Sequence, residues 1–93
     1  MSITPRSRKA KGRRLQQEVC NLLLEQFSHL EQDDIKPAIM GESGEDVKLS
    51  PAARRSIPYS FECKSQERLN VWQALNQADG NSRGHEPILV FKR

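Results

Sequence analysis

The sequence lacks the features that several protein classes require. Its two cysteines, Cys20 and Cys63, lie neither in a CxxC pair nor close to a histidine, which argues against a zinc site. We therefore expect reduced, buried thiols. No apolar run is long enough to span a membrane, and the basic N-terminus is not followed by the apolar core of a signal peptide. These absences predict a soluble, cytoplasmic protein with no membrane partner.

Apolar residues are scarce as well. Hydrophobic residues make up 35% of the 93 residues and charged residues 29%, so the chain can fold but has little core to spare. We expect its stability to depend partly on dimerisation or on substrate. The sequence contains no internal repeat and no low-complexity tract. It predicts a flexible basic arm over residues 1–8 and one folded domain over residues 9–93.

Positive charge is concentrated at the start of the chain, although the formal net charge is only +3. Six of the 15 basic residues lie close together there: Arg6, Arg8, Lys9, Lys11, Arg13 and Arg14. Without them, 9 basic and 12 acidic residues remain, a net charge of −3. A basic arm on a mildly acidic body indicates a polyanionic partner, and a solvated tail is the alternative. Because the arm continues into a helix, we favour nucleic acid.

Two segments have the pattern of helices. Over residues 9–30, apolar side chains recur every three or four positions, at Leu15, Val19, Leu22, Leu23, Phe27 and Leu30. A second helix is predicted to begin after an N-cap at Asn70, with Gln73 completing a capping box, and to end before Gly80. Its expected inward-facing residues are Trp72, Leu75 and Ala78.

Four segments are predicted as strands, at residues 35–40, 45–49, 59–64 and 87–91. Pro37 limits the first to a sheet edge, and the last is a continuous apolar run that is typical of a buried strand. Residues 41–44 form a glycine-rich turn that lets the backbone approach a ligand, and residues 50–58 are predicted as a connector. The order helix, three strands, helix, strand predicts an α/β fold with a mixed sheet flanked by helices.

Polar side chains of two predicted strands can meet on one sheet face. In residues 59–64 apolar and polar side chains alternate, so Glu62 and Lys64 point to the same side. Asp46 can reach the same place if residues 45–49 pair beside them. Two carboxylates and a lysine suit a divalent-metal hydrolase, because Mg²⁺ prefers carboxylate oxygens and the lysine can orient water. Taken singly, Asp46 also fits a turn residue, and Glu62 and Lys64 fit a solvated strand face.

With these residues in place, the chain resembles the PD-(D/E)xK nuclease superfamily, and within it archaeal-type Holliday-junction resolvases and small phage endonucleases. The matching residues, within residues 9–92, are Lys11-Gly12, Glu18, Ser43-Gly44, Asp46, Glu62-Cys63-Lys64 and Gln77. The resemblance implies a restriction-endonuclease-like core of α-β-β-β-α-β order. Gly44-Glu45 precedes Asp46 where many relatives have proline. The chain also stops soon after the last strand, which leaves an edge that invites oligomerisation or indicates a shortened product.

The resemblance implies a metal site. Asp46 and Glu62 would ligate Mg²⁺ or Mn²⁺, with the backbone carbonyl of Cys63 as a further ligand. Glu18 would hold a second metal ion or its water molecules. From helical spacing alone, Glu18 fits equally well as an exposed partner of Arg14.

The resemblance also implies the remaining catalytic roles. Lys64 would position the attacking water and offset the charge of the transition state at phosphorus. Gln77 would hydrogen-bond Lys64 or the water network, although its position on the second helix fits a solvent-facing amide as well.

The implied function is a Mg²⁺- or Mn²⁺-dependent endodeoxyribonuclease, selective for branched or junction DNA, of phage or bacterial type and acting as a homodimer. It would need no small-molecule cofactor and would act in the host cytoplasm if phage-encoded. Its expected contacts with DNA phosphates are Arg6, Arg8, Lys9, Lys11, Arg13, Arg14, Arg54, Arg55 and Arg83. Arg54 and Arg55 are equally explained as residues that keep a loop soluble. The alternatives are a non-catalytic DNA-binding module of the same fold, or a protein-interaction domain using the edge strand at residues 87–91.

Overall fold

A computed structural model describes residues 5–39 and 44–92, with residues 5–8 described by their backbone alone. The side chains of Arg6 and Arg8, and residue Ser43, therefore lie outside the described part of the chain. The elements in order are α1 (Pro5–Gln26), a short 3-10 turn (Gln32–Asp34), β1 (Ile35–Pro37), β2 (Val47–Leu49), α2 (Pro51–Ser56), β3 (Tyr59–Ser65), α3 (Val71–Gly80) and β4 (Glu86–Lys92). None of these helices is both long enough and apolar enough to cross a membrane.

The described strands form two small sheets. β1 pairs with β2 in antiparallel orientation, and β3 pairs with β4 in parallel, with Tyr59 opposite Glu86 and Ser65 opposite Lys92. The mixed α/β class is thus confirmed. Among the described residues the two ladders are separate, so the single central mixed sheet and the restriction-endonuclease-like order stay predictions. The backbone joins the two ladders where the N–H of Asp46 donates to the carbonyl of Phe61 at 3.1 Å.

The first helix differs from its prediction at both ends. It begins at Pro5, inside the predicted arm, where a proline at the first helical position is favourable because its missing N–H would have no partner there. It ends at Gln26 and not at residue 30. The N–H of Leu30 instead donates to the carbonyl of Phe27 at 2.9 Å, a turn that places Leu30 in the core. Leu22, predicted for the apolar stripe, is exposed.

The predicted connector at residues 50–58 contains a helix. The hydroxyl of Ser50 accepts a hydrogen bond from the N–H of Ala53 at 3.1 Å, and Pro51 follows at the first helical position. Ala53 and Ile57 are buried, so α2 closes one side of the core. Its six residues are too few to show helical periodicity. The Ser50-Pro51 pair was the sequence signal available for the start of α2.

The start of α3 agrees with its prediction, whereas its buried face agrees only at Ala78. The side chain of Asn70 accepts from the N–H of Gln73 at 3.0 Å, which confirms the N-cap. Gly80 is the last helical residue and does not lie beyond the end. Trp72 is 80% exposed and Leu75 is also exposed, contrary to prediction. The buried residues of α3 are Ala74 and Ala78, whose small side chains allow the helix to lie close to the sheet.

The core lies between α1, α2 and the two sheets. Its buried members are Leu15, Val19, Cys20, Leu30, Ile35, Val47, Ala53, Ile57, Phe61 and Cys63. Both cysteines are free and buried, as predicted. Burial raises the pKa of Cys20 to about 11 and that of Cys63 to about 12, which disfavours the thiolate form of both. β4 was predicted as a fully buried strand but is only half-buried, with Phe91 exposed.

We expect Ser50→Ala to lower the free energy of unfolding by about 1 kcal/mol. The change removes the cap of α2 and the hydrogen bond of 2.6 Å that the Ser50 hydroxyl donates to the carboxylate of Asp34. Urea denaturation followed by circular dichroism measures the loss. Ser50→Thr retains the hydroxyl and serves as the control. An unchanged unfolding midpoint in Ser50→Ala would contradict the capping role.

Candidate active site

Asp46 lies where the two sheets meet, immediately before β2. Its N–H donates to the carbonyl of Phe61 at 3.1 Å, and its Oδ2 accepts from the N–H of Cys63 at 2.7 Å. Residues two apart on a strand direct their backbone groups to the same edge. Asp46 therefore occupies the edge of β3 that β4 leaves open, and it pairs there through both its backbone and its carboxylate.

Glu62 and Lys64 point to the same face of β3, as the alternation predicted. Lys64 Nζ lies 3.6 Å from Glu62 Oε1, and the two side chains are 20% and 5% exposed. The predicted half-buried strand is wrong, because Ser60 and Glu62 are buried as well as the apolar residues between and beyond them. Helices pack on this parallel pair, α1 against β3 and α3 against both strands. Glu62 is thus a nearly buried carboxylate with a partly buried cation beside it.

Asn81 is a site residue that the sequence analysis did not single out. It follows the last residue of α3, and its Nδ2 lies 3.5 Å from Glu62 Oε2. Gln77, predicted to hydrogen-bond Lys64 or the water network, is exposed, and its side chain forms no hydrogen bond with any described residue. Asn81 lies four residues after Gln77 along the chain. A polar residue directly after a helix-terminal glycine was the only signal for Asn81.

Glu18 lies on the other side of β3. It is exposed on α1, and Lys92 Nζ lies 3.4 Å from its Oε1. Lys92 is opposite Ser65 in the ladder, and Ser65 points away from Glu62 and Lys64 because strand side chains alternate. The roles predicted for Glu18 and Gln77 therefore stay predictions. The residues that the structure does bring together are Asp46, Glu62, Lys64 and Asn81, with the backbone of Cys63.

The two carboxyl groups at this site disfavour ionisation. Burial is the main cause of the raised pKa of Asp46, and the hydrogen bond from Cys63 opposes it. Burial also raises the pKa of Glu62, and the negative charge of Asp46 raises it further. The positive charge of Lys64 acts against both shifts without cancelling them. The site therefore holds two carboxylates that repel each other, and the charge of Lys64 offsets only part of the cost of ionising them.

The oxygen donors of this site fit a hard divalent cation. Asp46 and Glu62 supply carboxylates, and the carbonyl of Cys63 points to the same strand edge as its N–H, where Asp46 lies. Within residues 5–39 and 44–92, no three His, Cys, Asp or Glu side chains are grouped for a metal ion. Mg²⁺ tolerates such a small protein ligand set, because it is commonly held by one or two carboxylates together with water and substrate phosphate.

Arg54 is part of the supporting structure of this site. Its Nη2 donates to both carboxylate oxygens of Glu45, at 2.7 and 2.9 Å, and its Nη1 donates to the carbonyl of Tyr59 at 2.6 Å. The Glu45 side chain is only 9% exposed. The predicted uses of Arg54, phosphate contact or loop solubility, thus differ from the observed one, which fixes the residue next to Asp46. Arg55 is exposed.

The other predicted phosphate contacts are available to a partner. All those with described side chains are exposed, namely Lys9, Lys11, Arg13, Arg14, Arg55 and Arg83. The first four belong to α1, which makes the N-terminal half of that helix a basic surface.

Comparison of the chain with protein-family models, with curated proteins and with solved structures finds no match in any of the three. The resemblance to PD-(D/E)xK nucleases therefore stays a prediction, and the function has to be inferred from the residues of the site.

We expect Glu62→Gln to raise the free energy of unfolding at pH 7 by about 0.5–2 kcal/mol. Folding raises the pKa of Glu62, so the ionised form costs stability at pH 7. The gain should shrink as the pH falls through the folded-state pKa, because the wild-type carboxyl is then neutral as well. Denaturation at several pH values without divalent cations measures it, with exposed Glu67→Gln as the control. A less stable Glu62→Gln would mean that the contacts with Lys64 and Asn81 outweigh burial and repulsion.

We expect Arg54→Ala to lower the free energy of unfolding by about 2 kcal/mol, because it leaves the carboxylate of Glu45 nearly buried and unpaired. Arg55→Ala, its matched control, should change stability by less than about 0.5 kcal/mol because Arg55 is exposed. Thermal and urea unfolding of the two variants measure these changes in the free energy of unfolding. Equal stabilities would show that the Glu45–Arg54 pair contributes nothing to the fold.

Proposed function

We propose that this protein is a divalent-metal-dependent endodeoxyribonuclease of the PD-(D/E)xK type, with a restriction-endonuclease-like core. The observation that best supports this is the convergence of Asp46, Glu62 and Lys64. The buried carboxylate of Glu62 and the half-buried carboxylate of Asp46 repel each other there, and Lys64 Nζ lies 3.6 Å from Glu62. Such an arrangement costs stability, and cation-assisted hydrolysis gives a reason for it.

The chain would hold each carboxylate in a fixed orientation. Asp46 Oδ2 accepts from the N–H of Cys63, and Glu62 Oε2 accepts from Asn81. Mg²⁺ or Mn²⁺ held by these carboxylates and the Cys63 carbonyl would polarise the phosphodiester and favour deprotonation of a bound water. The proposal needs no small-molecule cofactor.

Lys64 would act directly on the reacting atoms. Water attacks phosphorus and releases a proton to solvent, the bond from phosphorus to one bridging oxygen breaks, and that oxygen takes a proton from solvent. The Lys64 ammonium, restrained beside Glu62, would orient the water and place positive charge near the phosphate oxygens, where negative charge accumulates in the transition state. Its partial burial strengthens that interaction relative to one in bulk water.

The basic surface of α1 would bind the DNA backbone. Lys9, Lys11, Arg13 and Arg14 are exposed on one helix, and the contacts expected of such residues are with phosphates and not with bases. Affinity should therefore fall steeply with salt. Selectivity for branched DNA and action as a homodimer rest on the resemblance alone and belong to the proposal.

The alternative is a non-catalytic DNA-binding module of the same fold. It is favoured by the pairing of Glu18 with Lys92 and by the lack of a third acidic, cysteine or histidine side chain at the site among the described residues. In this case Asp46 would serve to join the sheets, and binding would survive the loss of Lys64.

A cleavage assay tests the proposal. Supercoiled plasmid and a synthetic four-way junction are incubated with the protein and Mg²⁺ or Mn²⁺. We expect cutting that EDTA stops and that Asp46→Asn or Lys64→Met each lowers at least about 100-fold. Junction cutting in preference to plasmid cutting would support the branched-DNA selectivity.

The chain offers matched controls for this assay. Asp33 and Lys36 form an exposed ion pair with a distance of 3.4 Å. Asp33→Asn and Lys36→Met therefore make the same chemical changes away from the site and should retain full activity. If the wild type binds DNA but cuts no substrate with either metal, the non-catalytic module is the correct function.

A further inference from the structure

We propose that Arg83 binds and orients the phosphodiester that is cut, as a guanidinium held at the Asp46–Glu62 site by the loop between α3 and β4. This inference rests on the proposed nuclease function and assigns Arg83 a role different from that of the basic residues on α1. Those residues would hold the DNA backbone at large, whereas Arg83 would act at the scissile phosphate.

The loop that carries Arg83 is fixed by one buried residue. Ser82 donates to the carbonyl of Asp79 twice, through its hydroxyl at 2.7 Å and through its N–H at 3.2 Å. The carbonyl of Ser82 accepts from the N–H of His85 at 3.0 Å. Ser82 is buried, so these hydrogen bonds are shielded from water. The backbone on either side of Arg83 therefore has a defined position.

Arg83 itself has a backbone conformation that residues with a Cβ rarely adopt. Its φ is +52°, whereas the following Gly84, at φ +85°, can adopt such angles freely. Positive φ at a non-glycine residue is unfavourable and tends to occur where a side chain has a functional position. The strain is explained if the loop must direct this arginine to a particular place.

Two nearby contacts show that Arg83 lies close to the site. Asn81, two residues before it, lies 3.5 Å from Glu62. On the other side, the guanidinium lies against Gly44, two residues before Asp46, where a Cβ built on the glycine would be 3.4 Å from Arg83 Nη2. Residues two apart in a chain have Cα atoms at most about 7 Å from each other. Arg83 is thus close to both segments that supply the carboxylates.

No described residue pairs with the charge of Arg83. Its side chain has no ion pair and no hydrogen bond with any residue in the described ranges, and it is exposed. Arg54, in contrast, has both sides of its guanidinium engaged by Glu45 and Tyr59. A free guanidinium can hold two oxygens of a phosphate at once, and it would offset the repulsion between the phosphodiester and the carboxylates.

Steady-state cleavage kinetics of Arg83→Gln test this role, with Arg68→Gln as the matched control, because Arg68 is an exposed arginine outside the proposed contacts. We expect kcat of Arg83→Gln to fall about 100-fold, a loss typical of removing one transition-state contact, with KM and Mn²⁺ affinity close to wild type. Arg83→Lys should recover part of kcat, because it keeps the charge without the two parallel N–H donors of the guanidinium. Arg68→Gln should leave kcat unchanged.

A second variant separates function from folding. Arg83→Gly can adopt the positive φ without strain, so it should unfold at no lower temperature than wild type and still lose kcat. If Arg83→Gln raises KM with kcat unchanged, Arg83 is an ordinary backbone contact and the inference is wrong, while the proposed function stands. If the wild type cuts no DNA, both the inference and the proposed function are wrong.

Discussion

The double contact of Asp46 with β3 is the interaction on which the rest of the molecule depends. Neither two-stranded sheet can be stable by itself, because such a sheet has too little surface to bury. Asp46 joins them by donating its N–H to Phe61 and accepting the N–H of Cys63 with its carboxylate. The carboxylate thereby accepts a hydrogen bond that the backbone carbonyl of a neighbouring strand accepts in a regular sheet. The same contact that connects the sheets brings a negative charge beside Glu62.

Each residue of the segment 44–47, which leads into β2, lies in contact with another part of the protein. These contacts keep Asp46 in its position beside β3. Gly44 lies under the guanidinium of Arg83, and Glu45 is bound by Arg54. Asp46 pairs with β3, and Val47 is buried in the core. Each contact comes from a different element, so no single loop has to supply the rigidity. Positioning a charged group within a few tenths of an ångström generally needs such support from surrounding residues.

Local features were predictable from the sequence to the extent that they depend on neighbours along the chain. The cap at Asn70 is of this kind, and so is the common face of Glu62 and Lys64. The alternation could not show that helices cover both faces of β3, since that depends on the topology. Likewise, hydrophobicity favoured Trp72 for the core, whereas close packing of α3 placed Ala74 there.

Residues of one type could be told apart only in three dimensions. Arg54 and Arg55 are adjacent and chemically identical, yet one is bound by Glu45 and the other faces solvent. Glu18 has the right spacing to approach a sheet, but the spacing does not say which face of β3 it meets. Asn81 reaches Glu62 because α3 ends at the residue before it. Sequence periodicity does not locate the end of a helix to a single residue.

The charges of the site link the binding of a cation to the binding of DNA under the proposed function. Asp46 and Glu62 carry two negative charges and Lys64 one positive charge, so the group has a net charge of −1 when all three are ionised. Such a group repels a phosphodiester and attracts a divalent cation, because its net charge is negative. A bound cation reverses the sign of the site, so cation and phosphate should each strengthen the binding of the other, as reciprocal linkage requires. The basic surface of α1 acts outside this coupling, which explains why a chain whose remaining residues are mildly acidic places so many positive charges at its start.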